Sequence, residues 1–231
     1  MSTDEKLDRL IADQLQAALR PALIGRHIVV LEQTGSTNDA ILEVDAGNSN
    51  DGLVLFAEHQ TAGRGQRGNR WESPAGKGLW FSILLRPGIQ LADSGQLTVW
   101  AIEAISEVIR IEFHLEPAIK LPNDIQLNGQ KVAGVLVEMR AQDKAPHLAV
   151  VGIGINVNQC HDDFPAELQD RAISLAMALG RQVDRQNFAV ALLRNLDCTY
   201  REKFSKAVAA FNSSPGGTTI RDKRAAKSRK A

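Results

Sequence analysis

Apolar and polar positions along this 231-residue chain recur with two periods, and the switches between them mark out the elements. Leu7, Leu10, Ile11, Leu15 and Leu19 stand at helical spacing and predict an amphipathic helix over 4–20. Ile28–Leu31 predicts a strand. Thr34–Asn38 then offers a glycine, hydroxyls and an amide ahead of the apolar run AILEV, which is a helix-start signature. Leu53–Ala57 and Leu79–Leu85 predict two more strands, separated by a long glycine-rich segment from Gln60 to Gly78.

Gln96–His114 carries the strongest helical pattern, with Leu97, Trp100, Ala101, Ala104, Val108 and Ile111 on one face. Ile125–Leu127 and Val132–Met139 flank Asn128-Gly129, a strong hairpin signal between apolar runs. Leu148–Val157 reads as a buried strand interrupted by Gly152 and Gly154, and Ser174–Leu179 and Gln186–Phe204 read as helices. After Phe211 the run NSSPGG marks a boundary. The order predicts an α/β (α+β) fold, a mixed β-sheet with helices against one face. The expected division is an N-terminal helical segment at 1–25, a main domain at 26–210 and a basic, disordered tail at 211–231.

Composition narrows the class. Hydrophobic residues make up 44% and charged residues 23%, ordinary for a soluble globular protein. The charged start MSTDEKLDRL has no signal-peptide core, and no apolar run approaches the ~18 residues needed to span a bilayer. A cytoplasmic protein without membrane contact is expected. Cys160 and Cys198 lack a metal-site pattern and read as reduced structural thiols. Net charge is zero, but residues 221–231 carry six basic side chains against Asp222, which leaves the rest at −5. Such a tail reads as a solvated end. Nucleic-acid binding is not expected, because the chain is neutral overall and Trp71 is the one aromatic near the loop arginines.

Three segments carry candidate chemistry. Gly63–Arg70 packs three arginines (Arg64, Arg67, Arg70) and three glycines (Gly63, Gly65, Gly68) into eight residues with no acid. Two like charges at ~4 Å repel by about 4 kcal/mol at an effective dielectric of 20, so the cluster implies an anionic ligand or else a solvated basic loop. Neither a Walker A ending nor a dinucleotide fingerprint is present. Lys120-Leu121-Pro122-Asn123-Asp124 reads as a polar turn after a strand, followed by Lys131 at the head of an apolar strand and Gly134 within it. Gly152-x-Gly154-x-Asn156 puts two glycines inside a buried strand, which fits close approach of a ligand or of another strand, or a bulge.

Taken in order, Gly35-Ser36-Thr37-Asn38, Gln60-Thr61-Ala62-Gly63-Arg64-Gly65, Trp71 with Ser73-Pro74, Lys120-x-Pro122-Asn123-Asp124, Lys131-x-x-Gly134 and Gly152-x-Gly154-x-Asn156 resemble the catalytic domain of biotin protein ligases. The resemblance covers roughly residues 30–205. It implies a mixed sheet related to class II aminoacyl-tRNA synthetases, binding biotin and ATP side by side. It implies that Ser36, Thr37, Asn38 and Gln60 line the biotin pocket and that Gly134, Gly152 and Gly154 form its floor. Arg64, Gly65 and Gln66 would close over biotin, with Lys131 at its carboxylate. Gly63, Arg67, Arg70, Trp71, Asn123, Lys131 and Asn156 would contact ATP or the adenylate. Arg64, Lys131 and Asp124 would be catalytic, and no protein metal site is implied beyond Mg²⁺ carried by ATP, with Asp124 as a contributor.

That resemblance implies activation of biotin to biotinyl-5′-AMP and transfer to a lysine of a biotin carboxyl carrier protein, a subunit of acetyl-CoA carboxylase. A homodimer is left open. A lipoate or octanoate transferase, or a catalytically impaired biotin-binding protein, are the alternatives. Departures motivate the second: Gln66 stands where many members have arginine, and Leu121 where tryptophan is usual. The ending KRAAKSRKA lacks strand alternation, so the small β-rich C-terminal domain of the family is expected to be absent or truncated. Only 35 residues precede Ser36. A winged helix-turn-helix needs roughly twice that, so no operator binding is expected.

Overall fold

A computed structural model describes residues 8–19, 22–45, 50–142 and 146–213, with side chains through 204. Seven strands form one sheet: β1 (Ile28–Thr34), β2 (Val54–Gln60), β3 (Gly78–Leu85), β4 (Ala118–Lys120), β5 (Asp124–Leu127), β6 (Gln130–Arg140) and β7 (Leu148–Asn156). Their spatial order is β1-β2-β3-β7-β6-β5-β4. β1 and β2 pair in parallel and every other pair is antiparallel. The predicted hairpin joins β5 to β6. Asn128 and Gly129 sit at φ 51 and φ 80, the left-handed pair a two-residue turn of this hand requires.

Alternation along the central strands sorts side chains to two faces. Val54 and Phe56 of β2, Leu79, Phe81, Ile83 and Leu85 of β3, and Val151, Ile153 and Ile155 of β7 enter the main core. There they meet α3 (Gly95–Phe113) and α5 (Arg185–Ser213). The opposite residues Leu55, Leu84, Leu148 and Val150 meet Ala40 and Ile41 of α2 (Thr37–Val44). Helices therefore cover both faces, not one as the pattern predicts. Parallel pairing of β1 with β2 demands a crossover connection, and that crossover carries α2 over the second face.

Three further expectations change. The N-terminal helix α1 is Ala12–Ala18 rather than 4–20, and Leu7 lies outside the described residues. Ile11 is 45% exposed because the chain before it is drawn out straight: the Leu10 N–H donates to Glu58 Oε1 at 2.9 Å. Asp8 meets Arg185 at 3.0 Å, and Arg185, 1% exposed, also donates to Glu58 Oε2 at 2.8 Å and to the Gly78 carbonyl at 3.0 Å. Ile111, placed on the buried face of α3 by its spacing, is 57% exposed. Ile105, Val108 and Ile109 carry that face instead, and Ile111 points about 200° away from Ile109. The C-terminal helix, α5, runs past Phe204 to Ser213, and residues 214–231 of the predicted tail lie outside the described residues. A short helix α4 (Leu175–Leu179) precedes it, with the Ser174 hydroxyl accepting from the Met177 N–H at 3.1 Å. No helix among the described residues is long and apolar enough to cross a membrane.

Candidate functional site

Beyond α2 the second face of the sheet loses its large apolar side chains. β6 and β7 present Gly134, Gly152 and Gly154 there, with Gly134 and Gly154 directly paired. A β-carbon on Gly152 would lie 2.3 Å from Asn38 Oδ1. One on Gly154 would lie 2.5 Å from Trp71 Cε2, and one on Gly134 would lie 3.0 Å from Trp71 Cζ3. The close approach inferred from these glycines is thus made by two of the protein's own side chains. The buried Trp71 indole N–H has no partner among the described residues, so one donor is left over this floor.

The N-terminus of α2 forms one end of the hollow. Gln60 Oε1 accepts from the Thr37 N–H at 2.9 Å, and Gln60 Nε2 donates to Ser73 Oγ at 2.9 Å. The Ser82 hydroxyl donates to Asn38 Oδ1 at 2.6 Å and lies 2.8 Å from Thr37 Oγ1. Asn38 Nδ2 donates to Glu138 Oε2 at 2.6 Å. Ser36, Thr37, Asn38, Gln60 and Ser82 are all buried, so these bonds fix which way each amide faces.

The arginine segment folds back on itself. The Trp71 N–H donates to the Gly63 carbonyl at 2.9 Å and the Gly65 N–H to the Asn69 carbonyl at 2.7 Å. Arg67 (φ 59) and Gly68 (φ 78) make the tip. Arg64 faces α2 and β6: its Nη1 and Nη2 both donate to the Asp39 carboxylate, the latter at 2.9 Å, and Nη2 lies 3.4 Å from Glu138 Oε2. This hydrogen-bonded pairing holds the Asp39 carboxyl below its ordinary range and raises the Arg64 guanidinium. The anion-free cost of crowding arginines is partly met by these two acids.

Lys131 is clasped at its backbone and ion-paired at its tip. Its N–H donates to the Arg171 carbonyl at 2.8 Å and its carbonyl accepts from the Ile173 N–H at 3.0 Å. Asn156 Nδ2 donates to the Ile173 carbonyl at 3.2 Å and Asn156 Oδ1 accepts from Gln159 at 3.0 Å, so Asn156 braces this clasp. Lys131 Nζ sits 2.6 Å from Asp124 Oδ1 and 5.1 Å from the Trp71 ring centroid. Asn123 Nδ2 donates to the Val135 carbonyl at 3.0 Å, which ties the turn after β4 to β6.

Two adjoining hollows result. The first brings together Ser36, Thr37, Asn38, Gln60, Arg64, Gly65, Asn123, Gly134, Gly152 and Gly154. The second brings together Arg70, Asp124 and Asn156 with Asn69, Lys120 and Arg171. Trp71 and Lys131 line both and form the wall between them. Gly63, Gln66 and Arg67 line neither; Gln66 and Arg67 are at the tip, and Gly63 packs where a β-carbon would lie 2.5 Å from the Trp71 carbonyl. Asn123 opens on the first hollow, not the second. Leu121 is 70% exposed.

Asp39, Ser73, Ser82 and Glu138 were missed as site residues. Ser82 had a signal, as the one hydroxyl in the apolar run LWFSILL, and Glu138 as the first acid after Lys131 in an otherwise apolar strand. No group of three or more His, Cys, Asp or Glu among the described residues is arranged to hold a metal. The carboxylates of the second hollow, Glu72, Asp124 and Asp170, stand apart, and Asp124 is engaged with Lys131. This donor set fits a divalent cation carried on ligand phosphates with water in its remaining positions, and does not fit a protein-built cage.

Known proteins are similar to this chain in sequence and fold. A family profile described as the biotin/lipoate A/B protein ligase family matches residues 30–156. The bifunctional ligase/repressor BirA of Bacillus spizizenii is 37% identical over 86% of this chain and 61% of its own length. A biotin–[acetyl-CoA-carboxylase] ligase of Mycobacterium tuberculosis is 36% identical over 82% of this chain and 72% of its own length. The biotin protein ligase from Aquifex aeolicus, solved in complex with biotin and ATP, is 32% identical with a TM-score of 0.67 over 80% of this chain and 75% of that one. The chain spans about three fifths of the length of the Bacillus relative. The matched segment runs from β1 to the end of β7 and so contains the glycine floor, the arginine loop and Lys131; on these grounds the chain belongs to the biotin/lipoate A/B protein ligase family.

Proposed function

We propose that this chain activates biotin with ATP to biotinyl-5′-AMP and transfers the biotinyl group to a lysine of a biotin carboxyl carrier protein. The observation that carries the reading is the shared wall: Lys131 and Trp71 stand between two adjoining hollows, one lined by Ser36, Thr37, Asn38, Gln60 and Arg64, the other by Arg70, Lys120, Asp124 and Arg171. A small acid in the first and a nucleotide in the second would meet at Lys131 Nζ. The names of the Mycobacterium tuberculosis and Aquifex aeolicus relatives support biotin, ATP and a carboxylase acceptor.

A free carboxylate does not acylate an amine at a useful rate, so its oxygen first attacks the α-phosphorus of ATP, and the mixed anhydride with AMP forms as the bond to the departing pyrophosphate breaks; AMP then leaves when the lysine attacks the acyl carbon. The first step brings two anions together. Lys131 at the junction and Arg64 at the lip offset the repulsion and stabilise charge building on the α-phosphate. The buried Thr37, Asn38 and Gln60 orient the far end of the acid, and Trp71 keeps water from the reacting carboxylate. Mg²⁺ would be held by the triphosphate, with Asp124 as a carboxylate that could contribute, and would supply further neutralisation of phosphate charge. The acceptor lysine, with a reference pKa of about 10.4, must lose a proton before attack. Asp124 is proposed to take or orient that proton once Lys131 turns from it to the phosphate. No protein nucleophile is needed. An ATP-consuming transfer of this kind suits a cytoplasmic protein.

The test is transfer of labelled biotin to a purified biotin carboxyl carrier domain, with lipoate as the competing acid. Labelling of one carrier lysine, unaffected by lipoate, is the expected outcome. Labelling by lipoate in place of biotin would overturn the substrate and favour the lipoate branch of the family. Tight biotin binding without labelling would leave a binding protein.

A further inference from the structure

Arg64 has a neighbour that the activity above does not use. Asp39 stands in the first turn of α2 and accepts from both terminal nitrogens of Arg64, and Glu138 of β6 takes a third contact at 3.4 Å. Glu138 is itself fixed by the buried Asn38 amide at 2.6 Å. The Arg64 backbone is anchored through its neighbours, with the Gly63 carbonyl accepting from the Trp71 N–H and the Gly65 N–H donating to the Asn69 carbonyl, but its long side chain is exposed and its direction is set by the acids that it meets. A guanidinium has five N–H donors in a rigid plane. Three contacts to the two acids leave the Nε–H and one Nη1–H unspent in that plane.

We propose that Asp39 is a positioning residue for the adenylation step: with Glu138 as its second point, it holds the Arg64 plane at the lip of the first hollow so that one of the two unspent donors, which lie on opposite edges of the plane, meets an anionic ligand. This inference rests on the function proposed above. It assigns Asp39 an effect that passes wholly through Arg64. As an exposed ion pair, the contact contributes little to global stability. Its consequence is therefore in kinetics and not in folding.

The experiment is a double-mutant cycle on biotin-dependent adenylate formation by the full chain, using Asp39→Asn, Arg64→Ala and the combination, with Asp39→Glu as the conservative variant. Losing the charge-assisted fork predicts roughly a tenfold fall in kcat/KM for Asp39→Asn. Asp39→Glu is expected to recover part of it, and melting temperature to move by no more than about 4 °C. In the Arg64→Ala background, Asp39→Asn should have no further effect. Equal falls in both backgrounds would overturn the proposal, since Asp39 would then act without Arg64. An Asp39→Asn enzyme as fast as the parent would overturn it too. If the parent itself makes no adenylate, the proposed function fails instead, and the fork is then read from the Asp39 carboxyl titration: a pKa unmoved by Arg64→Ala would overturn the positioning role.

Discussion

Trp71 lies on the bare backbone of Gly154, where a β-carbon would come within 2.5 Å of the indole. The same ring stands 5.1 Å from Lys131 Nζ, so one glycine sets the depth of the wall between the two hollows. Gly154→Ala forces the indole outward, because the neighbour it meets is a rigid ring and not the end of a flexible chain. We expect biotin affinity to fall by at least tenfold, with a stability loss of about 1–3 kcal/mol from overpacking. Calorimetric titration with biotin alongside urea unfolding separates the two effects. Unchanged affinity would mean that the Trp71 position does not matter to the ligand.

Gly152 plays the same part for Asn38, at 2.3 Å. Gly152→Ala is expected to break the bonds from Asn38 to Ser82 and Glu138 and to abolish measurable biotin binding while the far-ultraviolet circular dichroism is kept. Retained binding would show that the Asn38 amide can leave its network without consequence.

The buried Arg185 is expected to matter for folding alone. Arg185→Met leaves the buried Glu58 carboxylate without its cation, and removing one partner of such a pair costs roughly 3–5 kcal/mol. Adding Glu58→Met is expected to recover a large part of that loss. Chemical denaturation of the single and double variants checks this, and a single variant within about 1 kcal/mol of the parent would contradict it.

Asp39 gives a pH prediction. Its folded-state pKa is lowered by the Arg64 hydrogen bonds from an ordinary value of 3.8. The contact is therefore fully present above that value and is lost as pH falls through the lower folded-state pKa. Carboxyl carbon shifts followed by nuclear magnetic resonance should titrate below 3.8 in the parent and move up toward it in Arg64→Ala. An Asp39 that titrates alike in both would deny the pairing.

Much of the fold was legible because its signals are local. Asn128-Gly129 between apolar runs located the β5–β6 hairpin, and the apolar run Leu79–Leu85 located β3. The site segments were legible as clusters of glycine, arginine and amide residues. What escaped depends on partners far apart in sequence. Asn38 meets Glu138 across 100 positions only because β6 and β7 pair with Gly134 opposite Gly154. Asp8 meets Arg185 across 177, which straightens the chain that periodicity predicted to be helical. Ile111 kept the helical spacing but not the burial, since the face of α3 is set by what it packs on. Close approach was inferred at the glycines, but that Asn38 and Trp71 lie against them could not be read from the sequence.

The most direct measurement is exchange of labelled pyrophosphate into ATP by the parent chain and by Lys131→Gln, with biotin or lipoate as the acid. The account predicts exchange with biotin alone, and a fall of about 10²–10³ in kcat when the charge at Lys131 is removed. Exchange with lipoate but not biotin, or a Lys131→Gln enzyme as fast as the parent, would contradict it.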